Sequence, residues 1–193
     1  MSKFCLYGYG DSNMWGWDPH FGVKDNRLPE KDIWLNRVSE KMDCCVINDS
    51  LPGRKIPLKR ALPLFLSSVG SVQWDVIILM LGVNDLMSLS NPVMERIAER
   101  WIPALGALTE KYPEKKDRII LASMTPFPAS GIFDINQKVS RGYKRVAEQF
   151  GVQFFDTLAL NLHLTYDVMH LSEYGHEMLA DAVCDYLAGM DLG

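Results

Sequence analysis

Three short polar stretches of this chain each follow an apolar run and a fourth lies ahead of the last helix, and the first holds a serine that could act as a nucleophile. Phe4-Cys5-Leu6-Tyr7 stops at Gly8 and Gly10 and gives way to Asp11-Ser12-Asn13, the pattern of a buried strand whose closing turn lifts Ser12 to the rim of a sheet. Serine is a weak nucleophile until a base removes its proton, so this reading requires a histidine elsewhere. The other three stretches are Pro52-Gly53-Arg54, Gly82-Val83-Asn84-Asp85 and Asp167-Val168-Met169-His170. Each taken alone reads first as an ordinary turn or helix start. Their joint occurrence at the ends of successive strands is what points to a site.

The elements that would position these residues alternate strand and helix from end to end. Strands are expected at 4–7, 44–47, 76–81, 119–122 and 152–155. Val76 to Leu81 is apolar on both faces, as a central parallel strand should be. Helical spacing is carried by Trp34, Val38 and Met42, with Pro29 and Glu30 suited to a first turn, and a helix is expected over about 57–69. Val93, Ile97, Trp101, Leu105, Leu108 and Tyr112 suggest one long helix kinked at Pro103. Ile135 to Phe150, stopped by Gly151, is a further helix, and Ser172 caps the last one. This order predicts a three-layer α/β fold around a parallel sheet of five strands, formed as a single domain over residues 1–193. In such sheets ligands bind beyond the carboxyl ends of the strands, where the four polar stretches collect.

The 193 residues are 48% hydrophobic and 23% charged, the balance of a globular protein. The net charge of −4 is spread without blocks, which argues against a nucleic-acid or anionic-membrane partner. No apolar run approaches a membrane span and no signal peptide is evident, so a cytoplasmic location is expected. The four cysteines, with Cys44 and Cys45 adjacent, read as buried thiols and not as a disulfide framework. His163, His170 and His176 lack the paired carboxylates or cysteines of a metal site, so no metal is expected. His163 and His176 read as loop and helix-surface residues.

With these stretches assembled, the sequence resembles the SGNH (GDSL-type) hydrolase superfamily, and more narrowly its arylesterase-like branch. The resemblance rests on Gly10-Asp11-Ser12 with Trp15-Gly16-Trp17, on Asn48 to Gly53-Arg54, on Met80 through Leu86, and on Asp167 through Ser172 with Gly175-His176. It implies a flavodoxin-like α/β/α fold with strand order 2-1-3-4-5 and a serine esterase needing no cofactor. It also implies Ser12 as nucleophile, Asp167 and His170 as the rest of a triad, and Gly53 and Asn84 as oxyanion-hole donors. Two departures stand out: Asn13 occupies a position where Leu is usual, and Ser50 and Pro52 replace residues more typical of the second motif.

The residue types at these positions suit these roles. If residues 51–54 form a type II turn, its internal bond uses the Arg54 N–H and leaves the Gly53 N–H free. Asn84 adds a side-chain N–H and Ser12 its own backbone N–H, giving three donors around one oxyanion. Asp167 can hold the imidazole of His170 while the other ring nitrogen faces Ser12. Activity should then fade on acidification, because only neutral imidazole accepts the serine proton.

The expected substrate is a small-molecule carboxylic ester with a short acyl group and an aryl or alkyl leaving group, since no lid-sized apolar insertion is present. Asn13, Trp15, Trp17, Phe127 and Tyr166 are the expected pocket residues. A carbohydrate O-acetylesterase, a lysophospholipase or thioesterase, and a non-catalytic small-ligand-binding module are the alternatives. Arylesterase-like relatives are often oligomers, so the resemblance also admits a homo-oligomer.

Overall fold

The computed structural model describes residues 4–20, 24–88, 94–126 and 132–192. Its frame is one parallel sheet of five strands: β1 (Cys5–Gly10), β2 (Cys45–Ser50), β3 (Val76–Met80), β4 (Ile119–Ala122) and β5 (Gln153–Phe155). The strands lie in the order β2-β1-β3-β4-β5, as expected. All five residues of β3 are buried, as its unbroken apolar run requires at the centre of a sheet covered on both faces.

Side chains alternate between two cores. Ile77 and Leu79 face one layer, built from Phe65 and Val69 of α3 (Ala61–Gly70), Leu105 and Leu108 of α5 (Ile102–Lys111), and Val139, Tyr143 and Val146 of α6 (Ile132–Phe150). Val76, Ile78 and Met80 face the other, which holds Trp34, Leu35 and Val38 of α2 (Trp34–Met42) and Leu179, Val183 and Leu187 of α7 (Glu173–Ala188). This period of two places helices on both faces. Among the described residues no helix is long and apolar enough to cross a membrane.

The register sets the rim. Gly10 pairs with Ser50 on one side and with Met80 on the other, so β1, β2 and β3 end flush. The residues that follow each strand therefore leave the sheet at one level.

Several elements differ from the sequence reading. β1 continues through Gly8 and Gly10 where a turn was expected, because Met14 folds back over them; a Cβ on Gly10 would lie 2.6 Å from the Met14 Cβ. β2 likewise runs on through Asn48-Asp49-Ser50, whose polar groups find partners. The Tyr7 hydroxyl donates to Asp49 Oδ2 at 2.5 Å, Ser68 Oγ lies 2.6 Å from the same oxygen, and Asn48 Nδ2 donates to the Met14 carbonyl.

The expected long helix is two elements, a 3₁₀ stretch over Met94–Trp101 followed by α5. Pro103 sits in the first turn of α5, where a missing N–H costs nothing, so it marks a helix start and not a kink. Pro29 and Glu30 open a separate 3₁₀ turn ahead of α2. Val93 lies outside the described residues.

Two further expectations fail on burial. Cys45 is exposed because β2 is an edge strand, although Cys44 is buried; all four cysteines are free thiols. His176 is fully buried and not a helix-surface residue. Its Nδ1 accepts the Trp34 N–H at 3.2 Å, tying α7 to α2, and burial pushes its pKa down to about 3. Neutral histidine is therefore a structural member of this core.

Candidate active site

Ser12 opens the short helical turn α1 (Ser12–Trp15), whose N-cap is Asp11; the Asp11 carboxylate accepts the Asn13 N–H at 3.0 Å. The cap turns the chain sharply off β1 and leaves the Ser12 N–H outside the helical bonding pattern. Among the described residues neither this N–H nor that of Gly53 has an acceptor. Gly53 has φ 77°, and the Arg54 N–H donates to the Leu51 carbonyl at 3.1 Å, the geometry of the expected type II turn.

Asn84 lies in α4 (Val83–Met87), immediately beyond Gly82. Gly82 is confined to glycine twice over: its φ is 144°, and a Cβ there would lie 2.2 Å from the Tyr143 hydroxyl, which donates to the Leu81 carbonyl. This tight turn brings the Asn84 amide back toward β1, where Nδ2 lies 3.4 Å from Asp11 Oδ2 and 3.1 Å from the Arg54 carbonyl oxygen. The three nominated donors thus sit on three adjacent strand ends.

Asp167 and His170 arrive on the loop that precedes α7. Leu164 and Leu171 form an antiparallel bridge and the Thr165 N–H donates to the His170 carbonyl at 2.8 Å, so the segment between them is a closed loop. Asp167 Oδ1 accepts from the Thr165 hydroxyl at 2.6 Å and from the Met169 and His170 N–H groups, both at 3.0 Å. Its Oδ2 lies 2.6 Å from His170 Nδ1, and His170 Nε2 lies 3.1 Å from Ser12 Oγ. The structure thus brings Ser12, His170 and Asp167 into one hydrogen-bonded line across 158 residues of sequence.

Two carboxyls near this line are shifted in opposite directions. Burial opposes the ionisation of Asp167, but the Thr165 hydroxyl, the His170 ring and two backbone N–H groups outweigh it, and the carboxyl stays well below the usual carboxylate range. Asp11 is entirely enclosed, and burial pushes it up to about 7 against the bond from the Asn13 N–H. The line therefore runs from a serine through an imidazole to an ionised aspartate. Asp11 was not singled out as a functional position in the sequence, although Asp before Ser-Asn-Met-Trp is a recognisable N-cap. Thr165 carried no signal at all.

The expected pocket residues scatter. Trp17 lies beside the base, its ring centroid 6.0 Å from that of His170, with Trp15 behind it and the Arg27 guanidinium over Trp15. Tyr166 is exposed and donates its hydroxyl to the Pro19 carbonyl. Phe127 lies outside the described residues. Asn13 is a correction: it is 1% exposed, and its amide bonds to Thr125, Met169 and Leu171, so it lines no pocket. Among the described residues no cluster of His, Cys, Asp or Glu is arranged to hold a metal ion.

Over residues 9–178 the chain matches the GDSL-like Lipase/Acylhydrolase family. The chain belongs to that family. Among solved structures, this GDSL-like acylhydrolase is similar to Est24, a carbohydrate acetylesterase from Sinorhizobium meliloti, at 22% identity and a TM-score of 0.78 over 96% of this chain and 99% of that one. It is similar to the inhibitor-bound aryl esterase of M. smegmatis at 19% identity and a TM-score of 0.77, over 96% and 98% of the two chains. A lipase/acylhydrolase from Enterococcus faecalis matches at 19% identity and a TM-score of 0.71, over 96% of each chain. At these identities the likeness establishes the shared fold. No curated protein matches the chain.

Proposed function

We propose that this GDSL-like acylhydrolase is a serine esterase that cleaves small carboxylic esters through an acyl-enzyme on Ser12. The observation that carries the reading is the Ser12–His170–Asp167 line, in which each polar atom of the base has a partner suited to its role. His170 Nε2 takes the proton of Ser12 Oγ as it attacks the ester carbonyl, and the imidazolium that forms is stabilised by Asp167. The oxyanion is received by the Ser12 and Gly53 N–H groups and by Asn84 Nδ2. His170 then gives its proton to the leaving alcohol, and in the second half-reaction it activates a water that releases the acid.

The rim favours an apolar aryl or short alkyl leaving group. Of the six exposed large hydrophobic side chains among the described residues, Leu51, Met87, Tyr166 and Val168 stand on or beside the segments that carry Gly53, Asn84, Asp167 and His170. A bound apolar group would cover surface that is otherwise left in water, at about 25 cal/mol per Å². A carbohydrate O-acetylesterase is the second reading, favoured by the rings of Tyr166 and Trp17 at this edge and by the likeness to Est24. Short acyl groups are expected in both cases.

A fluorophosphonate probe tests the chemistry. It should label Ser12 in the native protein and leave Ser12→Ala unlabelled, whereas an unlabelled native protein at neutral pH would favour a binding module. Comparing kcat/KM on phenyl acetate, acetylated sugars and p-nitrophenyl esters from acetate to palmitate then separates the leaving-group and acyl-length readings.

A further inference from the structure

The bond between Asp167 and His170 fixes the imidazole within its own loop, but both residues belong to that loop, so the pair says nothing about where the loop sits relative to Ser12. Something else must set the distance from Nε2 to Oγ. Ser12 and Asn13 are consecutive in α1; the Ser12 side chain faces the rim while Asn13 turns inward and is enclosed. Asn13 Oδ1 accepts the Leu171 N–H at 2.8 Å, and Asn13 Nδ2 donates to the Met169 carbonyl at 3.2 Å. Met169 and Leu171 are the two neighbours of His170, so a single amide grips the backbone on both sides of the base. The second hydrogen of Nδ2 goes to Thr125 Oγ1 at 2.9 Å, beyond the end of β4, which anchors the amide to the sheet.

We infer that Asn13 is a positioning residue that registers the His170 loop on the nucleophile. This rests on the serine esterase reading and adds to it. A primary amide suits the task because it presents one acceptor and two donors in a fixed plane, and here all three are used. Leucine, the usual residue at this place in the resembling superfamily, could fill the volume but make none of the bonds. In this chain the loop's own turn is therefore supplemented by a clamp that issues from the residue next to Ser12. A small displacement of a reacting group costs up to about two orders of magnitude in rate, so the clamp should be visible in the chemical step while binding of the ester is little changed.

The test is the second-order rate of Ser12 labelling by a fluorophosphonate, with kcat and KM on phenyl acetate, in Asn13→Leu and Asn13→Asp, each made in the native and the His170→Ala backgrounds. Asn13→Asp keeps the size and the Leu171 bond but sets a carboxylate oxygen against the Met169 carbonyl, and the urea midpoint of each variant separates a displaced loop from a misfolded chain. We expect Asn13→Leu to lower labelling and kcat by roughly 10- to 100-fold with KM within about twofold, and Asn13→Asp to fall between it and the native protein. In the His170→Ala background neither should cause a further loss, because residues acting through one base are not additive. Native labelling and kcat in both variants would overturn the inference while leaving the serine esterase reading intact, as would an equal fractional loss with and without His170. Failure of the native protein to label at Ser12 would instead overturn the esterase reading itself.

Discussion

The loop after β1 places Asp11 next to Ser12 in the chain, the loop before α7 places Asp167 against His170, and the two carboxyls are shifted in opposite directions. Asp167 keeps contact with solvent and collects four hydrogen-bond donors, so it stays ionised at any pH at which the protein would work. Asp11 is enclosed, with the Asn13 N–H at full strength and the Asn84 amide at a distant 3.4 Å, and burial brings its pKa to about 7. Depth and donors together separate them. A carboxylate that must stabilise an imidazolium needs its charge, whereas one that caps a turn and steadies an amide can hold a proton.

The largest effect that could break this comparison is Asp167→Asn. Without the ionised partner the imidazole loses its preferred tautomer and its stabilised cation, and kcat/KM on phenyl acetate should fall by about three to four orders of magnitude. A loss no larger than that of Asp11→Asn would show that the two carboxyls have been assigned the wrong way round. Asn84→Ala is expected next, at about two to three orders of magnitude, the usual cost of one oxyanion donor. Its signature is a fall in kcat with little change in KM, and a change confined to KM would remove Asn84 from the oxyanion site.

How far these residues could be read from sequence follows the same division between local and distant partners. Val76 to Met80 was legible because an apolar run on both faces has few other places to go. The type II turn at Gly53 was legible because Pro-Gly specifies it locally. Asp167 and His170 share a loop, and the short spacing gave them away once a serine needed a base. Asn13 was not legible: its role depends on Met169 and Leu171, over 150 residues on, and a polar residue next to a nucleophile reads naturally as pocket lining. His176 failed in the same way, since its partner is the Trp34 N–H across the helical layer. The long helix over residues 93–112 misled because apolar spacing carries through a change from 3₁₀ to α geometry that only Pro103 marks.

Asp11→Asn sharpens the comparison through stability. Its pKa in the folded chain, about 7, lies above the ordinary unfolded value near 3.9, so between these values the native state binds a proton that the unfolded state has lost. Stability from this residue is therefore full at acid pH, declines as pH rises from about 4 to about 7, and is lowest above that, by up to about 4 kcal/mol. A neutral amide escapes this decline and can still accept the Asn13 N–H. Urea midpoints at pH 5 and pH 9 should thus converge in Asp11→Asn relative to the native protein. Its new NH₂ also faces the Asn84 amide, so activity should fall by about tenfold. A native protein whose midpoint difference matches that of the variant would show that Asp11 stays ionised throughout.

The smallest expected effect lies between Asp167 and His170 and concerns the backbone that makes the Asp167 loop possible. Val168 has φ 53°, a left-handed conformation in which a β-branched residue is strained. Its N–H closes a turn onto the Thr165 carbonyl at 2.9 Å, and that turn lets Asp167 Oδ1 face the N–H groups of Met169 and His170. Its side chain is 53% exposed, so little burial offsets the strain. Asparagine tolerates left-handed backbone far better than valine does, and Val168→Asn should stabilise the fold by about 1 kcal/mol, or roughly 2–4 °C in Tm for a chain of this size. Glycine should give a smaller gain, because it also loosens the unfolded chain. Neither change removes a donor to Asp167, so kcat should be maintained, while KM for apolar esters should rise if Val168 belongs to the leaving-group rim. A Tm lowered by both substitutions would mean that the valine side chain contributes more through its contacts than its backbone costs, and the loop would then be held together by packing as well as by the hydrogen bonds that Asp167 gathers.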